Sequence, residues 1–204
     1  YSVIFLFGLF LSACSLQKPV VSEQFQDLSR NHQKIAILPF DVLFNEEYQK
    51  LMAGRNNKAR TKEYWADLSR FAGLAMQKEL FMGIAKQVSK GKYEFVVQDF
   101  LTTNQILESN KVPFYLIAKA DKQALARLLG VDAVIWGQLD VIFSPMGFRP
   151  GEVRTSLLIY DERTGQKVWE NSLSATQNNP RDTPEDLARN AMSQMARMLP
   201  YKQH

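Results

Sequence analysis

The sequence predicts an α/β domain built on a single mixed sheet of about five strands, with helices packed on it. Three observations carry this prediction. Residues 130–170 hold three apolar, β-branched segments divided by Pro/Gly turns and by an Arg163-Thr164-Gly165 corner, the pattern of a strand meander. Ahead of them, an apolar run, a long segment of helical period and a second apolar run make a strand, helix, strand unit, which favours parallel pairing through a right-handed crossover. Near the end, Thr183-Pro184-Glu185-Asp186 is a helix start, with Thr to cap, Pro at the first position and an acid three residues on.

Taken in order, Lys34 to Phe40 (KIAILPF) reads as the first strand, closed by Pro39 and covered on both faces. Asp41 to Lys62 is a long hydrophilic connection, expected as a solvated loop with a helical turn around Glu46 to Met52. From Thr61 to Ser89, Trp65, Leu68, Ala72, Met76, Leu80, Ile84 and Val88 recur every three or four residues. That is a buried helical stripe, ending where Gly91 can turn left-handed. Tyr93 to Val97 reads as the second strand. Thr102 or Thr103 is expected to cap a short helix, and Asp121 to Leu129 a further one leading through Gly130 into the meander. The short connections there make its strands antiparallel neighbours. Leu187, Ala191, Met195 and Met198 or Leu199 supply the buried stripe of the last helix, which Pro200 ends.

With 204 residues, 46% hydrophobic and 23% charged, the composition is that of a globular chain. The net charge of +4 is mild and its cations are dispersed among acids, so no nucleic-acid partner is expected. One cysteine excludes a disulfide within the chain, and His32 and His204 fall in no ligand spacing, so no metal or other cofactor is expected. Searches for a Ser/His/acid set, HExxH, a phosphate-cradling Gly loop and a nucleophile elbow find none. Asp41, Asp99, Asp132, Asp140 and Asp161 sit near expected strand ends, where carboxylates can meet. With no histidine close in sequence they read as corner residues, Asp132 as an Asx-type turn. The chain is therefore read as non-catalytic, an envelope hydrolase being the weaker alternative.

Val3 to Leu11 is an apolar run too short to span a bilayer and of the length of a signal-peptide core. It ends in Leu11-Ser12-Ala13-Cys14, which resembles the lipobox of bacterial lipoprotein precursors. The resemblance implies cleavage before Cys14, a thioether-linked diacylglycerol on its sulfur and an acylated new amino terminus. Ser15 in place of Asp after the cysteine implies the outer membrane, with the domain facing the periplasm. The expected organisation is a leader at 1–13, truncated before Tyr1, a lipidated tether at 14–33, the α/β domain at 34–200 and a tail at 201–204.

Three motifs together carry a wider resemblance: KIAILPF, LARLLGVDAVIWG and LLIYDERTGQKVWENS. They look like the envelope lipoproteins whose domain is similar to the TolB N-terminal domain, among them CsgG, LpoB and transport-associated auxiliary lipoproteins. The resemblance covers about residues 34–199. It implies a TolB N-terminal-like fold used as an interaction module, membrane attachment through lipid, and protein partners in a secretion, transport, flagellar or cell-wall assembly. Glu46, Glu47, Lys50, Arg55, Lys58 and Arg60, on the hydrophilic connection, are the candidate partner surface, together with exposed sheet edges. A homo-oligomeric ring component of an outer-membrane secretion machine is the alternative. A CsgG-like pore needs long amphipathic hairpins of about 9 to 11 residues per strand, and the charged connection does not supply them.

Overall fold

In the computed structural model, which describes residues 18–143, 150–179 and 181–201, the chain enters the sheet earlier than the sequence suggests. Val20–Val21 (β1) pairs antiparallel with Trp169 and Glu170, and Phe25–Ser29 (α1) buries Phe25 and Leu28. The tether expected to run to Gln33 is thus part of the domain from Val20 onward. Its signal is faint because β1 is two residues long and α1 five, below the length at which periodicity shows.

Lys34–Ile37 (β2) and Asp41–Phe44 (β3) follow, then Glu46–Arg55 (α2), a 3-10 turn at Asn57–Arg60 and the long helix Lys62–Ser89 (α3). Val96–Val97 (β4), Phe100–Ser109 (α4), Phe114–Ile117 (α5) and Lys122–Leu129 (α6) lead to three ten-residue strands. These are Ala133–Ile142 (β5), Glu152–Asp161 (β6) and Lys167–Thr176 (β7), and Pro184–Met198 (α7) closes the domain. The sheet runs β1-β7-β6-β5-β2-β4, with β3 also on β5. It is mixed as expected: β2 is parallel to β4 and β5, while β5, β6 and β7 are antiparallel.

Local chemistry explains the ends of these elements. Thr61 caps α3, Asp121 caps α6, and Gly130 takes the left-handed conformation that ends it. Thr183 and Asp186 form the reciprocal capping box of α7. α4 differs from expectation. Its cap is Asp99, whose Oδ1 accepts the amides of Leu101 and Thr102, leaving Thr103 buried inside the helix. The strand expected over Tyr93–Val97 pairs only at Val96 and Val97, while Tyr93 and Phe95 turn into the core and stack 5.5 Å apart.

Two apolar layers hold the sheet. Ile35, Ile37, Phe40, Val42 and alternate residues of β5 to β7 pack beneath α3 and α7 with Met76, Leu80, Ile84, Met192 and Met195. Ala36, Leu38 and Val134, on the other face, meet Leu107, Ile117, Leu125 and Leu129 beneath α4 to α6. Burying each such side chain contributes roughly 1.5–3 kcal/mol, so the first layer dominates stability.

β2 and β3 lie end to end along one edge of β5. Ile37 pairs with Ile135 and Asp41 with Gln138, so Leu38, Pro39 and Phe40 stand opposite only Trp136 and Gly137. The chain gains one residue there, a bulge that Phe40 fills. Gly137 makes room for it: a Cβ on Gly137 would sit 2.2 Å from Phe40 Cε1. Gly73 on α3 does the same for the bulge's backbone, since a Cβ there would lie 2.1 Å from the Phe40 carbonyl oxygen.

Candidate functional site

The connection after Phe40 is a built surface rather than a loop. Asn45 caps α2, its Oδ1 accepting the amide of Tyr48 at 3.2 Å and that of Phe143 at 3.3 Å. Asn56 begins the 3-10 turn in the same way, accepting from the Lys58 amide at 3.0 Å. No residue of α2 is buried, so apolar burial within the helix does not hold it. An aromatic clamp does: the Tyr48 ring stacks on Phe44 at 5.8 Å and meets Trp65 and Phe143 edge-on, while Trp65 Nε1 donates to the Ala59 carbonyl at 2.7 Å.

The clamp fixes the six predicted surface charges in place. Glu46 and Glu47 are exposed in the first turn of α2, where the helix dipole favours acids, and Arg55 in the last, where it favours bases. Lys50 reaches Glu46 at 3.4 Å, a solvated pair that contributes little to stability. Lys58 and Arg60 project from the 3-10 turn beside Arg55, so the ledge is acidic at one end and basic at the other.

Next to this ledge the second face of the meander is left partly open. Gln138, Asp140, Ser156, Leu158, Ser172 and Ser174 alternate with the buried residues of β5, β6 and β7 and remain partly exposed. Ser156 and Ser172 share a hydrogen bond of 3.0 Å, and Gln138 Nε2 donates to Asp140 Oδ1 at 2.9 Å. Asp41 sits near Asp140, and burial first, then the Asp140 charge, raises its carboxyl above the usual range. Of the five aspartates singled out in the sequence, Asp41 and Asp140 are the two whose charges bear on one another. Asp99 is a helix cap, and Asp132 ties strands rather than closing a local turn: its Oδ2 accepts the amides of Gln33 and Lys34.

Asp161 does hold its corner, taking the Thr164 amide and hydroxyl at 2.7 Å each, but it also reaches His32. His32 Nδ1 meets the Tyr201 hydroxyl at 2.7 Å. His32 and Tyr201 line a cleft of about 760 Å³ between α1 and β4, together with Phe25, Arg30, Gln33 and Phe95. Burial lowers the His32 pKa, although Asp161 opposes it, and burial pushes the Tyr201 phenol well above its ordinary 10. Both ring nitrogens are hydrogen-bonded within the protein, so the imidazole bridges a carboxylate and a phenol. The cluster joins the segment between α1 and β2, the β6–β7 corner and the segment after α7. Sequence reading missed it because its members lie 129 and 169 residues apart.

Lys122 was also missed. Its ammonium is buried, donates to the carbonyls of Ile117, Ala118 and Ala120, and lies 4.8 Å from the Trp136 ring centre. Burial lowers its pKa, and the three carbonyls at the end of α5 explain why a lysine is tolerated there. Leu11, Ser12, Ala13 and Cys14 lie outside the described residues. Among the described residues no group of three or more metal-ligating side chains converges, and no helix is long and apolar enough to cross a membrane.

No protein-family model and no curated protein matches the chain. Solved structures do resemble it. The lipoprotein GNA1162 of Neisseria meningitidis has a TM-score of 0.45 and 12% identity, over 81% of this chain and 96% of that one. The PelC dodecamer of Paraburkholderia phytofirmans gives 0.45 and 13%, over 79% and 83%. The C-terminal domain of LpoB from Salmonella enterica gives 0.36 and 11%, over 72% and 84%. At these identities and TM-scores the likeness stops at general architecture.

Proposed function

We propose that the chain is a non-catalytic accessory protein of a bacterial envelope, anchored by lipid on Cys14, whose domain docks onto a multiprotein assembly from the periplasmic side of the outer membrane. The observation that carries the reading is Leu11-Ser12-Ala13-Cys14 directly after the apolar run Val3 to Leu11. Acyl chains contribute about 0.8 kcal/mol per buried methylene, and more than one chain gives stable attachment. The clamped ledge of α2 supports the docking half of the reading. Its charges are presented on a rigid support, and complementary charge of this kind sets association rate and partner choice more than affinity. The buried Lys122, spent on three backbone carbonyls, is explained by packing and asks for no catalytic role.

The test is Cys14→Ser in the native host, followed by metabolic labelling with a fatty acid and membrane fractionation. Loss of label, with the domain released or the leader retained, supports the anchor. Unchanged labelling refutes it.

A further inference from the structure

β1 changes the length of the tether, and with it the distance the domain can travel. The pairing of Val20 with Glu170 and of Val21 with Trp169 fixes Val20 to the edge of the sheet. Only Ser15 to Pro19 then separate Cys14 from the folded domain, in place of the twenty-residue tether expected from sequence. Fully extended, the six steps from Cys14 to Val20 reach at most about 20 Å. As a flexible coil they average roughly 13 Å. A domain of this size has a radius of gyration of about 16 Å, hence a diameter of about 40 Å, so the tether is shorter than the body it holds.

We infer that the β1–β7 edge lies against the headgroup layer of the leaflet that anchors Cys14, so that the protein works at the membrane surface rather than at the end of a long reach. The inference rests on the lipid-anchor reading. The edge suits such a position. Among the described residues Val20 and Val21 are 65% and 48% exposed, and Lys18 beside them is exposed. The outward backbone groups of an edge strand are satisfied by water and headgroups there, and an edge held to a bilayer is shielded from pairing with other chains. β4 lies at the opposite edge, about 24 Å away across five strand spacings, and its Val96 is 63% exposed.

The experiment uses the full lipidated chain in vesicles containing a headgroup-labelled acceptor lipid. Since Cys14 is acylated and is the chain's one cysteine, Val20→Cys or Val96→Cys gives a single site for a donor dye. Flotation with the vesicles first establishes the anchor, and a protein that stays unbound overturns the anchor and this inference together. For floated protein, energy transfer at position 20 is expected to exceed that at position 96 at least twofold. Inserting twelve Gly/Ser residues after Ser15 should shrink the difference. Equal transfer at the two positions, or a difference that the insertion does not change, overturns the apposed edge while leaving the anchor intact.

Discussion

His32 Nε2 lies 3.1 Å from Asp161 Oδ2, with neither side chain reaching solvent. The neutral imidazole satisfies this site: Nε2–H donates to the carboxylate and Nδ1 accepts the Tyr201 hydroxyl. A second proton on the ring would displace the phenol's proton from its acceptor.

Acid should therefore weaken the fold in two steps. His32 has a folded pKa below its ordinary 6.5, chiefly through burial, with Asp161 and Asp132 opposing and Arg163 adding to the lowering. Its contribution is complete above 6.5 and is lost as pH falls from there toward the folded value. Burial alone would raise the Asp161 carboxyl, but Thr164 and His32 outweigh it and hold it below its ordinary 3.8, so its share is lost at lower pH still. Thermal melts from pH 8 to 3 should show a plateau, then a decline beginning near 6.5. His32→Phe should cost about 1–3 kcal/mol at pH 8 by leaving Asp161 and Tyr201 without their partner, and should flatten the upper step. A wild-type melting temperature constant from pH 7 to 5 would contradict this.

Trp169 is 1% exposed within the layer beneath α7. Trp169→Ala is expected to cost about 3–5 kcal/mol in urea unfolding. A change under about 1 kcal/mol would mean that the site collapses around the lost ring.

Gly137→Ala drives a methyl into the Phe40 ring and should cost about 1–3 kcal/mol. Phe40→Leu vacates part of that space, so the double variant should be more stable than the sum of the singles predicts. Additive losses in the cycle would place the strain elsewhere.

Reversing Glu46, Glu47, Lys50, Arg55, Lys58 and Arg60 together should leave the domain folded at a cost of about 1–3 kcal/mol, because all six are exposed and the loss is that of the helix-dipole contacts of Glu46, Glu47 and Arg55. Crosslinking in cells should then recover fewer partners. Tyr48→Ala, by contrast, opens the aromatic clamp and should loosen α2, read as faster amide exchange from Glu46 to Arg55. Undiminished crosslinking by the reversed protein would remove the ledge from the docking surface.

The parts of the fold visible in the sequence were those whose signal repeats. α3 shows its stripe over 28 residues, α7 its capping box, and β5 to β7 their alternation over ten residues each. β1 was hidden because two residues carry no period, and β3 because the charges beyond Phe44 dominate its neighbourhood. The candidate surface was legible as charge but not as structure: nothing local in Tyr48 announces that Phe143 will complete its clamp. His32 was hidden by its setting, a polar stretch in which Phe25 and Leu28, three residues apart, were the one clue to burial.

The residue gained at Leu38-Pro39-Phe40 acts as a frame shift in three dimensions. Before it, odd-numbered Ile35 and Ile37 enter the larger core; after it, even-numbered Phe40 and Val42 do. Remove one residue and every position of β3 would change sides, sending Asp41 into hydrocarbon and Val42 to water. The open face, its Asp41–Asp140 pair and the direction in which α2 leaves the sheet thus depend on the parity of a three-residue count.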